Sequence, residues 1–177
     1  MTESIWSQDR YLAASRFAAE AHGAQLVPGT QLPYLLHVAQ VTMEVIAALR
    51  LEAGHNEDLA VQCALLHDVL EDTPISYEQL AAQFGPAVAA GVAALTKANT
   101  MPKAAAMADS LARIQAQPQA VWLVKLADRI TNLQPPPAHW DAAKIVAYRN
   151  EAQTILEALG AASPYLAARL AAKIAAY

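Results

Sequence analysis

The stretch Leu65-Leu66-His67-Asp68-Val69-Leu70-Glu71-Asp72-Thr73 interleaves apolar and ionisable residues at helical spacing. Residues three and four apart on an α-helix share a face. Leu65, Leu66, Val69 and Leu70 therefore read as a core face, with His67, Asp68, Glu71 and Asp72 forming a strip beside it. Glu71 lies one turn beyond His67 and Asp72 one turn beyond Asp68, a spacing that puts Cβ atoms about 5–6 Å apart. Beside the one imidazole, the three carboxylates repel one another, and the negative end of the helix dipole at the C-terminus disfavours them further. Either this is a solvated acidic helix end with one hydrogen-bonded histidine, or a divalent cation offsets the repulsion.

Working outward, Asn56 is an N-cap, followed by Glu57 and Asp58 on the positive end of the helix dipole. The helix it opens is expected to run to about Asp72, and Thr73-Pro74 closes it, because a residue before proline avoids helical dihedrals. Ser76 and Gln79 form a capping-box pattern opening a short helix to Phe84-Gly85. Helical spacing also predicts helices over 7–22, 33–54, 86–96, 102–117, 118–133, 138–159 and 163–176, with 23–32 as a loop. Strand signals are nearly absent. Pro135-Pro136-Pro137 reads as a stiff break with too little chain after it for a second core. The expected fold is all-α: one compact helical array, a single domain over 1–177.

Composition narrows the function. Hydrophobic residues make up 55% of the 177 and charged residues 16%, which suits a globule with a sizeable core. The formal net charge of −4 offers no basic field for a nucleic-acid backbone. No apolar run reaches the roughly 18 residues a membrane span needs. The N-terminal residues lack the pattern of a secretory signal, so the cytoplasm is the expected compartment. Cys63, the one cysteine, lies in an apolar run and reads as a small buried hydrophobe.

Two more residues extend the acidic strip into a site. His37 follows Pro33-Tyr34-Leu35-Leu36 early in an apolar helix, and Asp128 sits in Lys125-Leu126-Ala127-Asp128-Arg129. Each alone suits a plain role: a hydrogen-bonded core histidine, and an aspartate paired to Lys125 or Arg129. With His67 and Asp68 they make two imidazoles and two carboxylates from three helices. That donor set suits Mn²⁺, Fe²⁺ or Zn²⁺, and mixed N/O ligation with open positions favours Mn²⁺ or Fe²⁺. His22, His55 and His139 are expected at surface or helix-end positions.

These pieces in this order resemble the HD superfamily of metal phosphohydrolases, and in particular the hydrolase domain of the RelA/SpoT family and its small stand-alone relatives. The matching pieces are Phe17-Ala18-Ala19-Glu20-Ala21-His22 with Gln25, Pro33 to His37, Ala64 to Thr73, Phe84-Gly85, Leu95-Thr96-Lys97, Met101-Pro102-Lys103, and Lys125 to Arg129 through Asn132-Leu133. Trp140 and Tyr148 fall where the small relatives carry an aromatic pair. The resemblance implies His37, His67, Asp68 and Asp128 as metal ligands and Glu71 and Asp72 as catalytic carboxylates. It implies substrate contacts at Asn132 and, by position, at Lys97, Lys103 and Tyr148. The implied reaction is removal of a 3′-pyrophosphate from (p)ppGpp; the alternatives are another nucleotide substrate or a non-catalytic nucleotide-binding module. Three places depart from the family pattern. The loop that usually carries an arginine against the purine reads Leu26-Val27-Pro28, Val38 stands where proline usually follows the metal histidine, and 134–137 is unusually proline-rich.

Overall fold

Side-chain caps start the helices at the positions that composition marks. The computed structural model describes residues 6–97 and 102–177, apart from the side chains of 103 and 104. Ser7 accepts a hydrogen bond from the Arg10 amide and opens α1, Gln8–His22. Asn56 accepts from Leu59 and opens α3, Glu57–Leu66. Ser76 and Gln79 form the full capping box of α5, Tyr77–Phe84. Asp141 opens α9, Ala142–Leu159, and Ser163 opens α10, Pro164–Ala176. The remaining helices are α2, Leu35–Leu51, α4, Val69–Asp72, α6, Pro86–Leu95, α7, Lys103–Gln115, and α8, Gln119–Asn132. Among the described residues the one β pairing is an isolated bridge between Leu26 and Pro33.

Three elements differ from expectation. The helix expected from Asn56 to Asp72 is broken: α3 ends at Leu66 and α4 begins at Val69. Between them Asp68 adopts φ −104° and ψ 0°, the sparsely populated bridge region. Helix α2 starts two residues late, because the Leu26–Pro33 bridge and the hydrogen bond from the Tyr34 amide to Gln25 O tie Pro33 and Tyr34 back to the preceding loop. Helix α9 starts four residues late, after a turn closed by the Trp140 amide on Pro137 O, where Asp141 can cap.

Helix α3 is the centre of the array. It is buried along its length from Leu59 to Leu66 and packs against α1, α2, α6 and α8. One buried apolar cluster reaches from Ala14 on α1 to Leu170 on α10. Leu65, Leu66 and Val69 belong to it, and Leu70 packs at its edge, as the spacing predicts. Cys63 is fully buried, also as expected. Helix α6 crosses α3 so closely that a Cβ built on Gly91 would lie 2.7 Å from Cys63 Sγ and 3.0 Å from Val121 Cγ2 on α8. No described helix is long and apolar enough to cross a membrane.

Candidate active site

Two imidazoles from different helices meet beside the α3–α4 break. His37 on α2 and His67 at the end of α3 bring their Nε2 atoms within 3.2 Å of each other. Asp128 Oδ1, from α8, lies 3.5 Å from His37 Nε2. Ligand atoms of His37, His67 and Asp128 all fall within 4.8 Å of one another. Asp68 stands beside this trio, with Oδ2 2.8 Å from His67 Nε2 and 3.7 Å from His37 Nε2. The helix break permits this convergence. On an unbroken helix His67 and Asp68 would diverge by about 100°.

The donor chemistry of this cluster fits a cation. His67 Nδ1 lies 2.9 Å from Ala64 O, which can only accept, so Nδ1 carries the proton. In the neutral ring Nε2 is then a bare lone pair, yet it faces a second imidazole nitrogen and a carboxylate oxygen. An acceptor pair as close as His67 Nε2 and Asp68 Oδ2 needs a shared positive charge. A divalent ion held by the two imidazoles and the carboxylate oxygens would supply it. Without an ion a proton takes the place: burial opposes charge on His67, but Asp68, and behind it Asp128, push its pKa up to about 9. Burial also works against the Asp68 carboxylate, and the adjacent His67 holds it down at about 2. Asp128 is kept well below the usual carboxylate range, against its burial, by Lys125 and then by His37 and His67.

Neighbours fix each carboxylate. Lys125 Nζ donates to Asp128 Oδ2 at 3.0 Å, and Asn132 Nδ2 donates to Asp128 Oδ1. The Tyr34 hydroxyl donates to Asp68 Oδ2. Gln25 Nε2 donates to Asp72 Oδ2 at 2.9 Å, and the Lys97 backbone amide donates to Glu71 Oε2 at 3.0 Å. Glu71, Asp72, Asp68 and Asp128 line one polar cavity of about 170 Å³, with His67 and Lys97 among its other walls.

The sequence model described as HD domain matches residues 14–164. The chain belongs to the HD-domain family. Among curated proteins it is 30% identical over 164 residues to a guanosine-3′,5′-bis(diphosphate) 3′-pyrophosphohydrolase of Xenopus tropicalis, covering 90% of this chain and 89% of the relative. A protein of the same name from Danio rerio is 32% identical over 154 residues, 84% and 83% of the two chains. An Aquifex aeolicus protein named guanosine-3′,5′-bis(diphosphate) 3′-pyrophosphohydrolase is 33% identical over 68% of this chain, which spans 17% of that longer relative. A solved structure described as a metazoan ortholog of SpoT that hydrolyzes ppGpp superposes with a TM-score of 0.80, covering 94% of each chain at 24% identity. That likeness carries the fold.

The rest of this HD-domain site lies beyond the carboxylates. A second cavity of about 290 Å³ adjoins the first, sharing Lys97 and Lys125 as walls. Trp140, Lys144 and Tyr148 line it, with Trp140 and Tyr148 edge to face at 5.2 Å and Lys144 Nζ 4.4 Å over the Trp140 ring. Tyr148 thus lies in the second cavity and Lys97 between the two. Asn132 lines the first but spends its amide on Asp128. The side chain of Lys103, and Met101, lie outside the described residues.

Sequence reasoning assigned no part to Tyr34 and Lys144, considered Lys125 only as an ion-pair partner of Asp128, and left Gln25 and His22 without a role. Tyr34 and Gln25 reach their carboxylates across more than thirty residues of chain, so no local spacing marks them. Lys125 does carry a local signal, since it precedes Asp128 by three residues on one helix and is buried. Arg129, the other partner considered for Asp128, turns away: it stacks 4.5 Å over Tyr148 and faces Glu151 at 3.6 Å. His22 does end α1, as expected, but it is buried rather than surface-lying; His139 is exposed and His55 half-buried.

Proposed function

We propose that this HD-domain hydrolase removes the 3′-pyrophosphate from a guanosine alarmone of the (p)ppGpp type, using a divalent ion held by His37, His67, Asp68 and Asp128. The observation that carries the reading is the convergence of His37 Nε2, His67 Nε2 and Asp128 Oδ1 on one point, with Glu71 and Asp72 on the wall of the same cavity. The names of relatives that match almost end to end support the substrate. A bound divalent ion would polarise a phosphoryl oxygen and acidify a water. Mn²⁺ suits the mixed nitrogen and oxygen set best, with Fe²⁺ and Zn²⁺ as alternatives.

The protein's own groups do the rest. Water forms a bond to the 3′ phosphorus, the bond from phosphorus to the 3′ oxygen breaks, and pyrophosphate departs. Glu71 or Asp72 accepts the proton of the attacking water, and the 3′ oxygen leaves as a hydroxyl by taking a proton from that carboxyl or from solvent. Lys97 and Lys125 stand where the two cavities meet and offset phosphate charge. The wall of Trp140 and Tyr148, with Lys144, accommodates the ribose and the 5′ phosphates.

A second reading, an HD-type hydrolase for a different nucleotide, rests on one observation. The loop Leu26-Val27-Pro28 holds no basic side chain to stack on guanine. Turnover assays with added Mn²⁺ on (p)ppGpp and on non-guanine nucleotides separate the two. Release of pyrophosphate from (p)ppGpp supports the first reading, and turnover of another nucleotide alone supports the second.

A further inference from the structure

His22 and Gln25 lie outside the proposed metal ligands and catalytic carboxylates, yet they are built into the site. Gln25 sits just past the end of α1. Its amide hydrogen-bonds to His22 O, and its own carbonyl accepts from the Tyr34 amide, both at 2.9 Å. Its side chain bridges two groups: Oε1 is 2.8 Å from His22 Nδ1, and Nε2 is 2.9 Å from Asp72 Oδ2. His22 is buried against the Tyr34 ring, with centroids 4.9 Å apart, and Tyr34 in turn donates to Asp68.

The direction of this chain is forced. An ionised Asp72 can only accept, so the Gln25 nitrogen must face it, and the Gln25 oxygen must face His22. His22 Nδ1 then has to carry the proton. His22 Nε2 is buried without a hydrogen-bond partner. The reverse tautomer would leave a buried N–H donor unsatisfied and would set two acceptors against each other at Gln25. Asp72 Oδ2 is therefore occupied, while Oδ1 takes no hydrogen bond among the described residues and remains free for a water.

We propose that His22 and Gln25 form a positioning relay that holds the Asp72 carboxylate in its working orientation, Gln25 by direct contact and His22 by fixing the Gln25 amide. The relay rests on the proposed role of Asp72 as a catalytic carboxylate beside Glu71, orienting the attacking water or accepting its proton. Neither residue is among the proposed ligands, so both act on the rate and not on metal or substrate affinity.

The test has a spectroscopic arm and a kinetic arm. A long-range proton–nitrogen NMR spectrum of the metal-free protein at pH 8 should show His22 with its proton on Nδ1. A proton on Nε2 instead overturns the relay. In the kinetic arm, Gln25→Leu should lower kcat at least tenfold with KM, bound metal and thermal midpoint near wild type. In an Asp72→Asn background the same change should have no further effect, because a residue acting through Asp72 has nothing left to position. His22→Asn places an amide N–H near Nδ1 and should restore most of the rate that His22→Leu loses. An unchanged kcat in Gln25→Leu, or an equal loss in both backgrounds, overturns the proposal; the half-buried Gln25 keeps this arm informative even where His22→Leu fails to fold. If the wild type leaves (p)ppGpp intact, the substrate reading falls, and the His22 tautomer still decides for or against the relay.

Discussion

Asn132 donates to the Oδ1 atom of Asp128 that also lies 3.5 Å from His37 Nε2, so its amide orients an oxygen of the proposed metal site. Groups that orient ligands change metal affinity by about 10–100-fold when removed. Asn132→Ala should therefore weaken metal binding by at least tenfold in a calorimetric titration. A raised KM with unaltered metal affinity would return Asn132 to the substrate contacts.

Metal affinity should climb with pH further than free histidine suggests. An incoming ion displaces the proton that Asp68 and Asp128 stabilise on His67, and that proton leaves at about 9. Affinity should rise about tenfold per pH unit up to that point and then level off. The sign for folding is opposite. The raised His67 pKa stabilises the metal-free protein fully below the free-histidine range, and the effect disappears as pH climbs through about 9. The lowered Asp68 pKa adds stability above the usual carboxylate range that is lost as pH falls through about 2. Thermal melts of the metal-free protein should thus soften between about pH 6.5 and 9, while the metal-loaded protein lacks this fall.

Glu71→Gln separates chemistry from architecture. The substituted amide still presents an oxygen to the Lys97 amide, so the connection after α6 stays in place. Turnover should fall by roughly 10²–10⁴-fold, the usual contribution of a general base, with metal content and substrate affinity kept. A wild-type rate would leave Asp72 as the proton acceptor.

Leu66 is fully buried one residue before His67. Leu66→Ala should cost about 2–5 kcal/mol in chemical denaturation. An unchanged midpoint would mean that the face beneath the ligands tolerates a cavity.

The loop before α2 sets base recognition in the first reading. Val27 is held there by its amide on Leu32 O and its carbonyl from Thr30. Val27→Arg adds stacking and cation–π attraction of about 0.5–2 kcal/mol. It should lower KM for (p)ppGpp by up to roughly tenfold with kcat unchanged. A KM that stays the same places the base elsewhere, against Trp140 and Tyr148.

How much of this was legible depended on the range of the contacts. Caps at Ser7, Asn56 and Ser76 are written in neighbouring residues, and the helices start where those residues stand. The apolar alternation through Leu65, Leu66 and Val69 likewise marks the buried face. The break at His67–Asp68 carries no proline or glycine and so gives no local sign. It follows from two side chains turning toward His37, thirty residues upstream. The delayed start of α2 has the same kind of cause, a tertiary bridge from Leu26 to Pro33 that overrides local spacing.

The crossing of α6 over α3 has a consequence for how such a chain can vary. Gly91 and Cys63 occupy a single volume, and Val121 closes it from the third side. A methyl at 91 leaves no room for sulfur at 63, so alanine at 91 requires a smaller residue at 63, whereas 63 can lose its sulfur alone. Cys63 lies one turn before His67 on the helix that positions it. A mismatch at this crossing, among residues with no chemistry of their own, would thus be felt as a misplaced imidazole.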